Sequence, residues 1–443
     1  MKRPCAVRWL CLALVVAGCA AATNGTGTAT TAPDTPPDYA GVVPWTTRAI
    51  PEARGHVTTL PDGRRQAVRY KGWTPKDFGQ FRTYAYGEQR PEPAVLKAEM
   101  PKDAKGDPKR GRALFLSRTK GPCTGCHLVP GEDVWPAGSV GTDLSTVGDR
   151  QLKDEYLYMM ISDARVIFPK SVMPPWGPTA LFTPPEIVDI VAYLQTLKGP
   201  RAPEKDPERD PFTRKKPVGF GDNLDPTNNP AVLLAEDAEA IWAAKGPMGK
   251  SCAECHEGGP QKSMRRVATR YPKWVKQYGR VMSIEDYLSA HGPDTTGRAF
   301  PGESDDNLKM TLLIKMASNG LPVNVDVRSA EARAALARGQ ASFHRRVGER
   351  NHSCADCHSP EKGANRFLGG RFLGDVTAGL TRHFPTWRTG QAEVWDLRKR
   401  FQWCMTPLGM NMLPSDSIEY AELELYLASF DNGKPLSVPG IRH

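Results

Sequence analysis

Three times along this 443-residue chain, two cysteines with two residues between them are followed at once by histidine: Cys123, Cys126 and His127; Cys252, Cys255 and His256; Cys354, Cys357 and His358. On a helix such thiols lie one turn apart on one face, so both can add to one edge of a porphyrin while the adjacent imidazole reaches its iron. That is the spacing of c-type haem attachment. A lone CxxCH could equally be half of a zinc site or a redox CxxC, but three in one chain, each behind a helical pattern, favour haem. The expectation is three covalently bound haem c groups, with His127, His256 and His358 as proximal ligands.

An iron held this way needs a sixth ligand, and the nature of that ligand carries the functional information. For the first haem, Met173 lies in the proline-stiffened stretch Ser171 to Trp176, where a methionine can present its sulfur outside a helix core; Met159 and Met160 compete from a probable helix. For the second, His291 follows a probable helix from Ile284 to Ala290, with Met264 and Met282 as rivals. For the third, Cys404 is the one cysteine beyond the N-terminal Cys5, Cys11 and Cys19 that lies outside the CxxCH motifs, with His383 as a rival. Thiolate ligation makes a haem electron-rich and lowers its potential, whereas His/Met ligation raises it. Arg388, Arg398, Lys399 and Arg400 form a basic run around this cysteine.

These groups must be positioned by a chain whose 40% hydrophobic content is compatible with packed cores, and whose length allows two to four domains. Forty prolines and 41 glycines imply short helices joined by many turns. The start, Met1, Lys2 and Arg3 followed by an apolar stretch from Trp9 to Ala17, reads as a secretory signal over residues 1–18. The small residues before Cys19 resemble a lipobox, which would make Cys19 a lipidated first residue and tether the protein in the periplasm. No later apolar run reaches the ~18 residues that a spanning helix needs. The formal charge of +10 includes Lys2, Arg3 and Arg8 of the leader, and haem propionates offset more of it, so the basic clusters point to propionates or an anionic substrate and not to nucleic acid.

Residues 19–97 comprise a tether rich in Ala, Thr, Gly and Pro and an extension with scattered aromatics and no assigned role. From 98 to 200 a helix is expected at Pro108 to Phe115 ahead of the first motif, and a closing helix at Glu186 to Leu197. This plan resembles the class I cytochrome c fold. A charged, proline-punctuated linker spans 201–225, and the plan then repeats over 226–325 and 326–443 with closing helices at Asn307 to Ser318 and Glu419 to Phe430. The fold class is mainly α, with three class I cytochrome c-like domains in tandem.

Residues from about Gly111 to Leu197, with GPCTGCHLVPG, GSVGTDLSTVGDR and SVMPPWG, resemble the small monohaem subunit of the SoxAX cytochromes of sulfur oxidation. Those from about Leu224 onwards, with LDPTNNP, SMRRVATRYP, NHSCADCH, FPTWR and ELELYLASF, resemble the dihaem subunit, as if both were fused in one chain. The resemblance implies an enzyme that joins thiosulfate oxidatively to a cysteine of a SoxYZ-like carrier protein and passes electrons to a soluble acceptor cytochrome. It also implies His and cysteine ligation of the active haem through Cys404, bis-His ligation of the second haem through His291, and an anion contact or a propionate contact for Arg388. The sequence departs from the family at Gly409, where an arginine is expected five residues after the ligating cysteine. A thiosulfate dehydrogenase forming tetrathionate, or an electron-transfer cytochrome without substrate chemistry, are the alternatives.

Overall fold

The computed structural model describes residues 92–117, 120–129, 136–199, 206–216, 227–348, 350–405 and 415–442, together with three short strands, β1 (Val43–Pro44), β2 (His56–Thr59) and β3 (Arg65–Val68). The leader with Cys19, the tether and Gly409 lie outside the described residues. The fold is mainly α, built from class I cytochrome c-like domains.

In the first unit, α1 (Pro108–Leu116) starts where the Asp107 carboxylate accepts from the Lys109 amide at 2.8 Å, with a proline at a position whose N–H would be orphaned anyway. α2 (Asp154–Asp163) and α3 (Pro184–Gln195) follow; the Glu186 carboxylate accepts from the Thr183 amide at 2.9 Å and fixes the start of α3. α1 packs across α3 at Gly111, where a Cβ would overlap the Asp189 backbone, so only glycine permits this approach. Phe115 and Tyr193 seal the crossing with ring centroids 5.6 Å apart.

The second unit contains α4 (Ala231–Ala243), α5 (Cys252–Cys255), α6 (Gly259–Ser263), the antiparallel pair β4 (Lys273–Val275) and β5 (Arg280–Met282), α7 (Ile284–Thr295) and α8 (Asp305–Met316). α4 buries Ala231, Ala235 and Ala238 and packs against α8. α7 runs further than the His-Gly-Pro sequence suggests, so His291 lies inside the helix and not after it. The helix continues past Pro293, and in its last turn the Thr295 hydroxyl donates to the His291 carbonyl at 2.7 Å and the Thr296 amide to the Gly292 carbonyl at 2.9 Å.

The third unit repeats the crossing with α9 (Ala330–His344). Gly339 lies where a Cβ would meet the Glu422 carbonyl of the closing helix. It continues with α10 (Cys354–His358), the hairpin β6 (Phe367–Leu368) and β7 (Arg371–Phe372), β8 (Thr386–Arg388), β9 (Glu393–Trp395), α11 (Leu397–Met405), α12 (Ile418–Ser429) and β10 (Gly440–Arg442). β8 is central, antiparallel to β9 and parallel to β10, which sets Arg388 opposite both Glu393 and Arg442. Among the described residues no helix is long and apolar enough to cross a membrane.

The second and third units share one apolar core, in which Val281, Leu288 and Leu312 lie with Ala335, Ala421 and Leu425. Beside it runs a buried ionic network. Arg398 donates to Asp286 at 3.0 Å and to Glu424 at 2.9 Å, and Lys315 donates to Glu285 at 3.1 Å. Arg398 is therefore a structural member of the basic run, since it is fully engaged away from any site. Removing its charge would leave buried carboxylates uncompensated, at a cost of about 3–5 kcal/mol.

The same network perturbs Asp396, which receives the Lys399 amide at 2.7 Å. Burial and the nearby Glu285 carboxylate push its carboxyl from 3.8 up to about 7. Between those two limits the folded protein holds a proton that the unfolded chain has lost, so this group's support for folding is full below 3.8 and is lost as pH rises through 7. Asp396→Asn keeps an acceptor for the Lys399 amide and removes the titration. Urea unfolding across that pH window should then show a smaller loss of stability with rising pH than in the wild type; equal slopes would contradict this assignment.

Candidate active site

The third motif is set by a capping box: the Asp356 carboxylate accepts from the Ser353 amide at 3.0 Å, and the Ser353 hydroxyl accepts from the Asp356 amide at 3.1 Å. This fixes α10 and with it the Cys354 and Cys357 thiols. His358 Nδ1 donates to the Gly374 carbonyl at 2.7 Å, and His127 Nδ1 donates to the Thr142 carbonyl at 2.8 Å. Each bond fixes the ring plane and occupies Nδ1, which leaves Nε2 as the ring nitrogen that could bind a metal. Gly141 lies against the His127 ring so closely that a Cβ would overlap it.

These two motifs open into one cavity of about 2070 Å³. Single small-molecule sites hold roughly 300–1,000 Å³, so this space suits two large groups. Cys123, Cys126 and His127 line one part, and Cys354, Cys357 and His358 line another. All six motif cysteines of the chain and Cys404 are free of disulfides. Burial pushes the Cys123 and Cys354 thiols up to about 12 and Cys126 up to about 11, so none of the three is poised as a thiolate. The donors, the space and the cradle around His127 fit haem at both places.

Met173 lines this cavity, and so does Met160, whereas Met159 is packed in the helix interior. Cys404 lies near the end of α11 and lines the same cavity, as does the rival His383, which is buried with its carbonyl receiving the Gly440 amide at 2.9 Å. Burial works against a charged sulfur, but Arg400, the hydrogen-bonded His358 imidazole and Arg371 outweigh it and bring the Cys404 thiol down to about 6. The structure thus brings His358 and Cys404 together.

Around this sulfur stand Arg371 from β7, Arg388 from β8 and Arg400 from α11. Arg388 lies over the Trp395 ring at 5.3 Å and Arg371 over the Trp403 ring at 5.5 Å, and these two tryptophans stack on each other at 5.1 Å. Burial first, then the neighbouring Arg400 and Arg371 charges, lower Arg388 to about 10; burial and Arg400 lower Arg371 as well. Cations brought together at this cost are stabilised by an anion among them. Arg388 and Arg400 belong to the basic run of the sequence, but Arg371 has no spacing relation to Cys404 and is placed only by the β6–β7 hairpin.

The second site lies elsewhere, since none of Cys252, Cys255, His256 or His291 lines the cavity. The His256 and His291 ring centroids are 6.4 Å apart. Two metal–imidazole bonds of about 2 Å each, with roughly 1 Å from each nitrogen to its ring centre, give a separation of that size. Tyr287, one turn before His291, stacks on it at 5.0 Å. Trp242 lies 5.5 Å from His256 with its indole N–H buried and without a hydrogen-bond partner among the described residues. Met264 and Met282 are buried in packing. This donor set also fits a haem.

Residues 237–323 and 338–436 match the SoxA/TsdA cytochrome c domain, and residues 106–194 match the domain of cytochrome c oxidase, cbb3-type, subunit III. The chain is 31% identical over 221 residues to the L-cysteine S-thiosulfotransferase subunit SoxA of Paracoccus pantotrophus, covering 49% of this chain and 73% of that protein. The chain belongs to the SoxAX cytochrome family. The SoxA subunit of Rhodovulum sulfidophilum is 30% identical over 225 residues, with 50% of this chain and 75% of that protein covered. The crystal structure of SoxXA from P. pantotrophus aligns with a TM-score of 0.45 at 30% identity, over 49% of this chain and 80% of that one. As in that family, cytochrome c domains here imply covalently bound haem c.

The opposition of His256 and His291 yields a direct expectation for this SoxAX cytochrome. His291→Ala should convert one haem per chain from low spin to high spin in the oxidised electron paramagnetic resonance spectrum and leave the others unchanged. A spectrum identical to that of the wild type would remove His291 as a ligand.

Proposed function

We propose that this chain is a fusion of the monohaem and dihaem SoxAX subunits that joins thiosulfate oxidatively to a carrier-protein cysteine. The observation that carries the reading is Cys404, facing His358 and ringed by Arg371, Arg388 and Arg400 in the cavity that also reaches the first CxxCH motif. In the overall reaction a sulfur–sulfur bond forms between thiosulfate and the carrier thiol, one proton is released and two electrons leave, giving the cysteine S-thiosulfonate. Haem c held at the three motifs would supply one-electron acceptors for these two electrons, with a soluble cytochrome as the final acceptor.

The chain's own residues have distinct parts. Arg388 and Arg371, braced on the Trp395 and Trp403 pair, bind and orient the sulfonate end of the anion. Cys404, drawn toward the thiolate by the Arg400 and Arg371 charges, would both hold the haem iron and be the sulfur that meets the substrate. Arg371 supplies a fixed fork near Cys404 where the family arginine has become Gly409, which answers the departure seen in the sequence. His127 with Met173, His256 with His291, and His358 with Cys404 are the residues that would hold the three haem irons. On this reading the enzyme works in the periplasm, and the lipobox-like residues before Cys19 would tether it there through a lipid.

The SoxA/TsdA domain match covers two chemistries, so a thiosulfate dehydrogenase forming tetrathionate is the competing reading. Cys404→Ala should abolish thiosulfate-dependent cytochrome reduction in the presence of carrier, and Arg388→Ala should lower it by roughly 10²-fold, the scale of losing one charge-stabilising group. Full activity in Cys404→Ala would end the proposal. Tetrathionate formed without carrier, at the rate seen with it, would decide for the dehydrogenase.

A further inference from the structure

The cavity is closed along one side by contacts between the first and third units that neither haem motif explains. They converge on the backbone just before Met173. The imidazole Nε2–H of His352 donates to the Val172 carbonyl at 2.7 Å, and Arg346 Nη2 donates to the Ser171 carbonyl at 2.8 Å. Both donors belong to the third unit: Arg346 follows α9, and His352 stands two residues before Cys354.

The donors are themselves tied down. Arg346 Nη2 also donates to Asp356 Oδ1 at 3.3 Å, and Asp356 is the residue between the third motif's two cysteines that closes the capping box of α10. Lys362 donates to the same Asp356 oxygen at 2.6 Å. From the other side, Glu92 accepts from Arg346 at 3.1 Å, from Asn351 at 3.2 Å and from Arg165 of the first unit at 2.9 Å. Within its own unit the Met173 loop has the Ser171 hydroxyl accepting from the Met173 amide at 3.1 Å. Two consecutive carbonyls of the loop that carries the methionine are therefore held by the segment that attaches the neighbouring haem.

We propose that His352, with Arg346, is a positioning residue that holds the 171–173 loop against the third haem motif and so sets the sixth ligand of the first haem. The proposal rests on the reading of Met173 as that ligand. A sulfur ligand is weakly basic and its loop is short, so presentation depends on the loop's backbone being fixed. Here the fixing donors come from 175 and 180 residues away in sequence.

The test uses the full-length protein with its haems and the variants His352→Leu, His352→Gln and Met173→Ala. The readouts are the methionine-to-iron charge-transfer absorption of the oxidised protein and the reduction potential of the first haem; the electron paramagnetic resonance signal of the third haem serves as a folding control. His352→Leu should lose at least half of the charge-transfer absorption and lower the first haem's potential while the third haem's signal persists. His352→Gln, which keeps an N–H donor, should restore both. Absorption lost in Met173→Ala but intact in His352→Leu would overturn the clamp alone. Absorption intact in Met173→Ala would overturn the ligand reading and the clamp with it.

Discussion

Positive charge gathered around one half-buried sulfur is the interaction on which the rest of this structure depends. Arg371, Arg388 and Arg400 come from a hairpin, a strand and a helix, and like charges gathered in this way repel one another unless an anion stands among them. A thiolate at Cys404 would supply one negative charge, and a sulfur oxyanion bound beside it would supply more. The stacked tryptophans give the guanidinium groups a rigid support, so that the charge is arranged before the substrate arrives.

Holding that arrangement requires more than the third unit can provide alone. The core is continuous with that of the second unit, and Arg398 links α7 to α12 through Asp286 and Glu424. The same α7 carries His291, so the second haem site and the support of the active site are built on one helix. The first unit is joined from the opposite side. The Gly369 amide donates to the Gly125 carbonyl at 2.7 Å and the Ser139 amide to the Phe367 carbonyl at 2.8 Å, and Arg214 of the following linker lies over the Phe367 ring at 4.8 Å. Two motifs that stand far apart in the sequence thereby share one cavity, which suits passage of electrons away from the sulfur chemistry.

Much of this was legible in the sequence because haem attachment is local chemistry. CxxCH fixes both thiols and the proximal imidazole within five residues, and the helices flanking each motif follow from apolar spacing and caps such as Thr183 and Glu186. His291 was legible by its type, although the helix around it extends further than Pro293 suggests. What could not be read is what distant chain segments bring together. Arg371 reaches Cys404 only through a two-residue-long pair of strands, Arg398 and Asp286 meet across 112 residues, and His352 and Val172 across 180. No local pattern encodes such pairings. The choice between Met173 and Met160 is likewise a matter of loop and helix placement around one cavity, which periodicity leaves open.

The central claim is that the active haem is held by His358 and the Cys404 thiolate. Electron paramagnetic resonance of the oxidised, fully haem-loaded protein, integrated against its iron content, tests it most directly. The account predicts three low-spin signals of equal weight, one of them with the narrow spread of g-values that a strongly donating thiolate imposes and the others with the wider spread of neutral ligands. A spectrum with three low-spin haems and no thiolate-type component would contradict it.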